Sequence, residues 1–454
     1  MPSSMTVESI DARDLAGAVR AARSDSGSAP GSSRSVILIF IGHYLPGFNA
    51  GGPVRSIANL VNALGDEYDF RIVTADRDLG DRRPFPSVTA DTWTRVGKAQ
   101  VLYTRVGQGW LLRCRRILNE VRPDLIYINS FFARSFSMAV LLAWWCAPRR
   151  SRCALLLAPR GEFSRAALGL KRNRKTVYVW LVKLLGTHSR ALWHASSPAE
   201  AADIVRALSH HDGVAVAGPI SSAAPAVATA LDVPPNWSGE TREFPSKPSG
   251  SLRIIFLGRI VPMKNLAAAI TAVRALRGNI RFTVCGPRED DACWQQCSRL
   301  LKAMPSNITV EVSGAVPHEQ VRKTLLEHDV FLLPTLGENF GHVIAEALQA
   351  GCPVVISDRT PWRGLQDLGV GWDLPLDDLT AFTRALQQCA DMAPDEFDLF
   401  RRRASGYGLA VGSDPGILNQ NRQMLNDALK KQPVTACDPM QSADRPQVFS
   451  GESK

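Results

Sequence analysis

Two glutamates eight residues apart, Glu338 and Glu346, and two cations, Arg259 and Lys264, are the side chains whose types and spacing could do chemistry in this chain. A carboxylate accepts hydrogen bonds from sugar or ribose hydroxyls and can use both of its oxygens at once. An arginine beside a lysine neutralises a diphosphate and stabilises the charge that builds on a leaving nucleotide. The glutamates flank a helix start. In Pro334 to Asp358 (PTLGENFGHVIAEALQAGCPVVISD) an apolar strand runs into a glycine-bounded turn, a helix begins near Gly341, and a second apolar strand follows Gly351 and Pro353. Backbone N–H groups of the first turn, His342 to Ile344, are available to phosphate oxygens. Judged alone, the same residues also suit an ordinary helix, with an acid near the positive end of the dipole and Glu346 on a solvated face. Arg259 and Lys264 likewise read singly as loop cations, and it is their shared location that needs explaining.

That location depends on the elements around them. The chain has 454 residues, 45% of them hydrophobic, enough for two cores of ordinary size. Residues 1–33 are rich in Ser, Ala, Gly and charge and are expected to be disordered. Ser35 to Ile41 then reads as a strand, followed by a loop with Gly47, Gly51 and Gly52 and a helical pattern over Val54 to Leu64. Apolar runs at Phe70 to Thr74, Gln100 to Thr104, Leu125 to Asn129 and Ala154 to Ala158 continue an alternation that predicts a parallel sheet with crossover helices over residues 34–218. Residues 219–250, rich in Pro, Ser and Gly, read as a linker. The pattern restarts over 251–412, with strands predicted at Leu252 to Gly258, Ile280 to Gly286, Ile308 to Gly314, Val330 to Pro334 and Pro353 to Asp358. A helix over 413–430 is expected to return to the first domain, and 431–454 to be an unstructured tail. Two doubly wound domains follow, with ligands beyond the carboxyl ends of the strands. Arg259 and Lys264 come just after the first strand of the second domain, at that edge.

The segments FLGRIVPMKN and GENFGHVIAEALQAGCPVV resemble those of the group-one (family four) glycosyltransferases, which carry a Glu-x7-Glu motif and an Arg plus Lys pair. The likeness covers Leu252 to Asp358 closely and the N-terminal half more loosely. It implies the α/β fold called GT-B, two Rossmann-like domains facing across a cleft. It also implies transfer of a sugar from a UDP-, GDP- or ADP-linked donor, with retention of configuration and with neither a metal ion nor a cofactor. By the same resemblance Glu338 is expected near the transferring sugar, Glu346 on the ribose, and Arg259 with Lys264 on the diphosphate. Asn339, Phe340, Gly341, His342 and Val343 fall at the donor-binding loop, and Gly51 and Gly52 face the phosphates from the other domain. The acceptor is expected to be a saccharide or lipid-linked saccharide, in polysaccharide or glycolipid biosynthesis.

The acceptor side is less regular. Leu157 to Ser164 (LAPRGEFS) ends a predicted strand with Arg160 and Glu162, where many family members carry a cleft histidine before a glycine. Here Arg160 stands in that place, as a contact to donor or acceptor or as half of an Arg–Glu surface pair. Asn129, at the end of another strand, is a further candidate, as are His43 and Asn49 in the glycine loop.

The net charge of +10 favours anionic partners, and Arg149 to Arg190 holds eleven Lys or Arg against the single acid Glu162. Such a stretch suits either a solvated face or an anionic membrane surface, consistent with a cytoplasmic protein held peripherally on the membrane. The most apolar run, Ser135 to Ala147, is shorter than the roughly 20 residues a spanning helix needs and reads as a buried helix. Nothing resembles a nucleic-acid module with stacking aromatics, so nucleic acid is not an expected partner. The nine cysteines lack zinc-site spacing and are expected to be reduced thiols. Asp76 and Asp78 form an Asp-x-Asp pair in the half that does not carry the donor motif. Two other functions remain open: a GT-B sugar-nucleotide epimerase, and a basic nucleic-acid- or membrane-binding protein without catalysis.

Overall fold

The computed structural model describes residues 34–148, 153–164, 167–168, 172–184, 190–208, 213–218, 244–412 and 414–431. The segment 1–33, most of the 219–250 linker and nearly all of the 431–454 tail lie outside the described residues.

Short aliphatic and β-branched runs form the strands of the first domain because helices cover both faces of its sheet. These are Val36–Ile41 (β1), Asp69–Ala75 (β2), Trp93–Val96 (β3), Ala99–Thr104 (β4), Leu125–Asn129 (β5), Ala154–Ala158 (β6), Leu192–Ala195 (β7) and Val214–Val216 (β8), in the order β3-β4-β2-β1-β5-β6-β7-β8. Every pair is parallel except β3 with β4. The two-residue period of β1 divides the core: Ile37, Ile39 and Ile41 pack with Leu60, Val61 and Leu64 of the Gly52–Leu64 helix, and Leu38 and Phe40 pack on the opposite face with Trp110, Ile117 and Val140.

The second domain is a six-stranded parallel sheet of Ser251–Leu257 (β9), Asn279–Cys285 (β10), Ile308–Ser313 (β11), Val330–Leu333 (β12), Val354–Ser357 (β13) and Gly371–Leu374 (β14), ordered β11-β10-β9-β12-β13-β14. One continuous core joins these strands to the helices on both faces, including Leu266, Ile270, Ile344, Leu348, Phe382 and Leu386. The last helix, Pro415–Lys430, places Met424, Leu425 and Ala428 in the core of the first domain.

Each sheet reverses its winding once. The chain leaves β9 toward β10 and β11, then returns to the other side of β9 for β12; in the first domain the reversal falls between β1 and β5. Loops that diverge at such a reversal open a crevice beyond the carboxyl ends of the strands. Arg259 and Lys264 follow β9, Glu338 follows β12, Gly51 follows β1, and Ser130 follows β5, so the candidate residues occupy the two switch points.

The apolar run at Ser135 to Ala147 is a π-helical turn, Arg134–Met138, that continues into the helix Ala139–Trp145. Trp144 is buried and donates its indole N–H to the Cys153 carbonyl at 3.0 Å. Among the described residues no helix is long and apolar enough to cross a membrane, and none of the eight described cysteines is in a disulfide. Much of the basic stretch 149–190 falls outside the described side chains. Its helix Arg172–Leu184 exposes Val177 and Trp180 and turns Tyr178 inward against Phe131 and Phe132.

Candidate functional site

The loops after β9 and β12 are tied together before any functional side chain is considered. Leu336 donates its backbone N–H to the Met263 carbonyl at 2.8 Å, and the Thr335 hydroxyl donates to the same oxygen at 3.0 Å. Lys264 ends a short 3-10 turn and forms an ion pair with Glu338 in which both side chains are mostly covered. Arg259 donates to Glu289 at 3.1 Å and is the more exposed of the two cations. Each cation therefore has a carboxylate partner within its own domain.

Gly341 adopts φ 79° and a Cβ there would press on Ile344, which explains a glycine at the entry of the helix His342–Gln349. Gly51, at φ 69°, enters the Gly52–Leu64 helix of the other domain. Neither helix has a side-chain cap, so first-turn N–H groups of both are open to an anion. The two starts meet: a Cβ on Gly52 would lie 3.4 Å from the His342 ring, whose Nε2 is 2.9 Å from the Ser56 hydroxyl oxygen. Burial, then the cations Arg55 and Arg160, push the His342 imidazole down to about 3, so the ring is neutral at physiological pH.

One turn further on, Glu346 accepts from the Arg55 guanidinium at 2.9 Å, and the same Nη1 lies 2.5 Å from His318 Nε2. Burial raises Glu346 and lowers Arg55; their mutual attraction opposes both shifts. His318 is pushed down to about 4, first by burial and then by Arg55. The glutamate assigned to ribose thus has a cation from the facing domain on one oxygen.

The remaining loop residues build the wall. The Phe340 ring lies 5.0 Å from that of His342 and 5.4 Å from that of buried Trp362, whose indole N–H donates to the Phe340 carbonyl at 2.5 Å. Val343 packs against the second core. Asn339 reaches across to Gly161, where a Cβ would collide with its amide.

In the first domain, Arg160 stands at the end of β6 and donates to Asn129 at 3.2 Å and to Tyr127 at 2.8 Å. It does not pair with Glu162. That carboxylate is turned inward, accepting from the Ser130 hydroxyl at 2.7 Å and from the backbone N–H groups of Phe131 and Phe132 at 2.5 and 3.0 Å. Burial raises its pKa, opposed by these donors and by Lys175. The reading of Arg160 and Glu162 as a surface pair is corrected here: the turn after β5, with three donors in need of an acceptor, claims the glutamate first. His43 donates Nδ1–H to the Arg77 carbonyl at 3.1 Å and lines a cleft of about 460 Å³ at the ends of β2 and β4, with Asp76, Asp78, Thr104 and Arg105. Asp78 accepts from the backbone N–H groups of Phe48 and Asn49 and so shapes the glycine loop, while Asp76 is paired with Arg77. Among the described residues no cluster of three His, Cys, Asp or Glu could hold a metal ion.

Arg55, Ser56, His318, Trp362, Tyr127 and His194 escaped sequence reasoning. Arg55 and Ser56 sit in the first turn of the helix behind Gly51 and Gly52, so the glycine loop itself was their only signal.

Two Rossmann-like domains with their switch points and uncapped helix starts turned toward one crevice define a GT-B architecture. Solved structures agree on the fold: sucrose-phosphate synthase of Thermosynechococcus elongatus matches with a TM-score of 0.61 at 17% identity, over 88% of this chain and 100% of that one. Anabaena Alr3699/HepE in complex with UDP and glucose matches with a TM-score of 0.58 at 14% identity, over 87% of this chain and 99% of that one. In sequence, residues 238–383 match the family model for glycosyl transferases group 1. The amylovoran biosynthesis glycosyltransferase AmsK of Erwinia amylovora is 32% identical over 157 residues, 32% of this chain and 38% of that protein. The putative colanic acid biosynthesis glycosyltransferase WcaL of Escherichia coli K12 is 30% identical over 171 residues, 35% of this chain and 40% of that protein. The chain therefore spans about two fifths of the length of these curated relatives.

Proposed function

We propose that the protein transfers a sugar from a nucleotide-sugar donor to a saccharide or lipid-linked saccharide acceptor, with retention of configuration and without a metal ion. The observation that carries this reading is the convergence of Lys264, Glu338, His342 and Glu346 at the β9/β12 switch point, opposite the uncapped glycine-entered helix of the first domain. The nucleotide diphosphate is the group such a site fits: Lys264 and Arg259 with two helix starts supply positive potential where the leaving group gains charge. Glu346 has a second oxygen for ribose hydroxyls, and Glu338 faces the sugar once Lys264 moves to phosphate. The glycosidic C–O bond to the diphosphate breaks as the acceptor hydroxyl attacks on the same face, its proton passing to the departing diphosphate oxygen, with both held in register by the closed cleft. The names of AmsK, of WcaL and of a phosphatidyl-myo-inositol mannosyltransferase of Mycobacterium leprae point to polysaccharide and glycolipid acceptors. The basic stretch 149–190, whose described helix exposes Val177 and Trp180, suits a cytoplasmic protein held against an anionic membrane.

The test is turnover of UDP-, GDP- and ADP-sugars with a membrane lipid extract, in excess EDTA, with the anomeric configuration of the product read by NMR. Formation of a product whose anomer matches the donor is expected. Inversion, strict dependence on added metal, or epimerisation of the donor without transfer would each overturn part of the reading.

A further inference from the structure

Arg160 closes the turn after β6 in a left-handed conformation, φ 53°, and Gly161 follows at φ 79° with the Asn339 amide filling the space of its missing Cβ. The guanidinium thus stands against the Asn339–His342 loop of the other domain. It is held from behind by a directed chain of hydrogen bonds. Arg160 Nη2 donates to the Tyr127 hydroxyl oxygen at 2.8 Å, Tyr127 O–H donates to His194 Nδ1 at 2.6 Å, and His194 Nε2–H donates to the Ala217 carbonyl at 2.9 Å. This order of donation needs a neutral His194, and burial first, then Arg160, pushes that imidazole down to about 3. Tyr127 and His194 are fully enclosed, so the chain fixes the guanidinium in one place.

All of these partners are neutral. No carboxylate forms an ion pair with Arg160 among the described residues, and Glu162, two residues away, is engaged elsewhere. Beside it, Asn129 is 2% exposed; its Oδ1 accepts from Arg160 Nε, and its Nδ2 has no acceptor. A half-buried cation next to an orphan amide donor is costly unless negatively charged oxygen comes to it. A planar guanidinium with Nη1 unengaged is matched in shape by a carboxylate, which takes two parallel hydrogen bonds.

We propose that Arg160 binds a carboxylate on the transferred sugar, so that the donor is a nucleotide-linked hexuronic acid. The inference rests on the nucleotide-sugar reading above. The diphosphate is assigned to Lys264 and Arg259 on the far loop, which leaves Arg160 for the sugar end, beside Asn339 and His342.

The experiment measures the affinity of the full chain for UDP, UDP-glucose and UDP-glucuronic acid, and for GDP, GDP-mannose and GDP-mannuronic acid, by calorimetry. Wild type is compared with Arg160→Gln and Arg160→Lys. In the series whose bare nucleotide binds, the hexuronate is expected to bind wild type about ten- to a hundredfold tighter than the neutral sugar, the range for a charge-assisted hydrogen bond. Arg160→Gln should abolish that preference and Arg160→Lys retain part of it, while bare nucleotide binds all three proteins alike and reports an intact site. Equal or weaker binding of the hexuronate to wild type, or a preference that survives Arg160→Gln, overturns the proposal and leaves nucleotide-sugar binding standing. Failure of both bare nucleotides to bind overturns a UDP- or GDP-linked donor and this inference with it.

Discussion

Arg55 and Glu346 join the two domains through an ion pair at 2.9 Å, with 18% of each side chain exposed. At an effective dielectric constant of about 20, two unit charges that close attract by about 6 kcal/mol. Most of that is offset by taking both groups out of water, as the raised Glu346 and lowered Arg55 pKa values indicate. A net coupling of about 1–2 kcal/mol remains. Arg55→Met leaves the Glu346 carboxylate enclosed without its partner and is expected to cost about 3 kcal/mol. Glu346→Gln removes the acceptor charge but leaves an amide oxygen for Arg55, and should cost about 1–2 kcal/mol. The double variant should be more stable than the sum of the two losses predicts, by the coupling energy. Urea denaturation of the four proteins, followed by tryptophan fluorescence, closes the cycle. A coupling below about 0.5 kcal/mol, the level expected of residues that do not touch, would refute the cross-domain pair.

Two further outcomes follow from enclosed titrating groups. Glu162→Ala strips acceptors from the Ser130 hydroxyl and the Phe131 and Phe132 amides, and should cost about 3 kcal/mol or more in denaturant unfolding, with Glu162→Gln recovering part of it. His194 is held near 3 in the folded protein against about 6.5 in the unfolded chain, so the unfolded state binds more protons as acid is added. Its contribution is therefore complete above about pH 6.5 and declines as pH falls toward the folded value, by about 2 kcal/mol at pH 5. His342 acts in the same direction. Stability measured from pH 7 to 5 should fall less steeply in His194→Gln, whose amide can still accept from Tyr127 and donate to Ala217; an unchanged slope would contradict a buried neutral histidine.

The α/β doubly wound class was legible because parallel strands covered on both faces are nearly unbroken apolar runs, and Leu125–Asn129 and Ala154–Ala158 agree with the structure to the residue. Of the four strands that escaped, Leu192–Ala195 is buried throughout but has only four residues, one of them His194, and the other three lack that signature. Trp93–Val96 is an edge strand of four partly exposed residues, the only antiparallel one described, Val214–Val216 has three residues, and Gly371–Leu374 begins on a glycine. The motif residues were visible in the sequence because the turn and helix that carry them are local. Their partners were not. Arg55 lies 291 residues from Glu346 and Lys264 lies 74 from Glu338, separations that only the assembled sheet edges bring together. Glu162 shows the converse: two residues from Arg160 in sequence, it is drawn into a neighbouring loop by donors that sequence spacing could not reveal.

The central claim is that Lys264 and Glu346 belong to one nucleotide-sugar site. Its most direct measurement is the thermal shift of wild type, Lys264→Ala and Glu346→Gln with UDP-, GDP- and ADP-sugars, each variant referred to its own unliganded midpoint. One nucleotide series is expected to stabilise the wild type. Loss of a charge-assisted contact should weaken its binding about tenfold or more in each variant, shrinking the shift at subsaturating ligand. An equal shift in all three proteins would contradict the assignment of these residues to the donor.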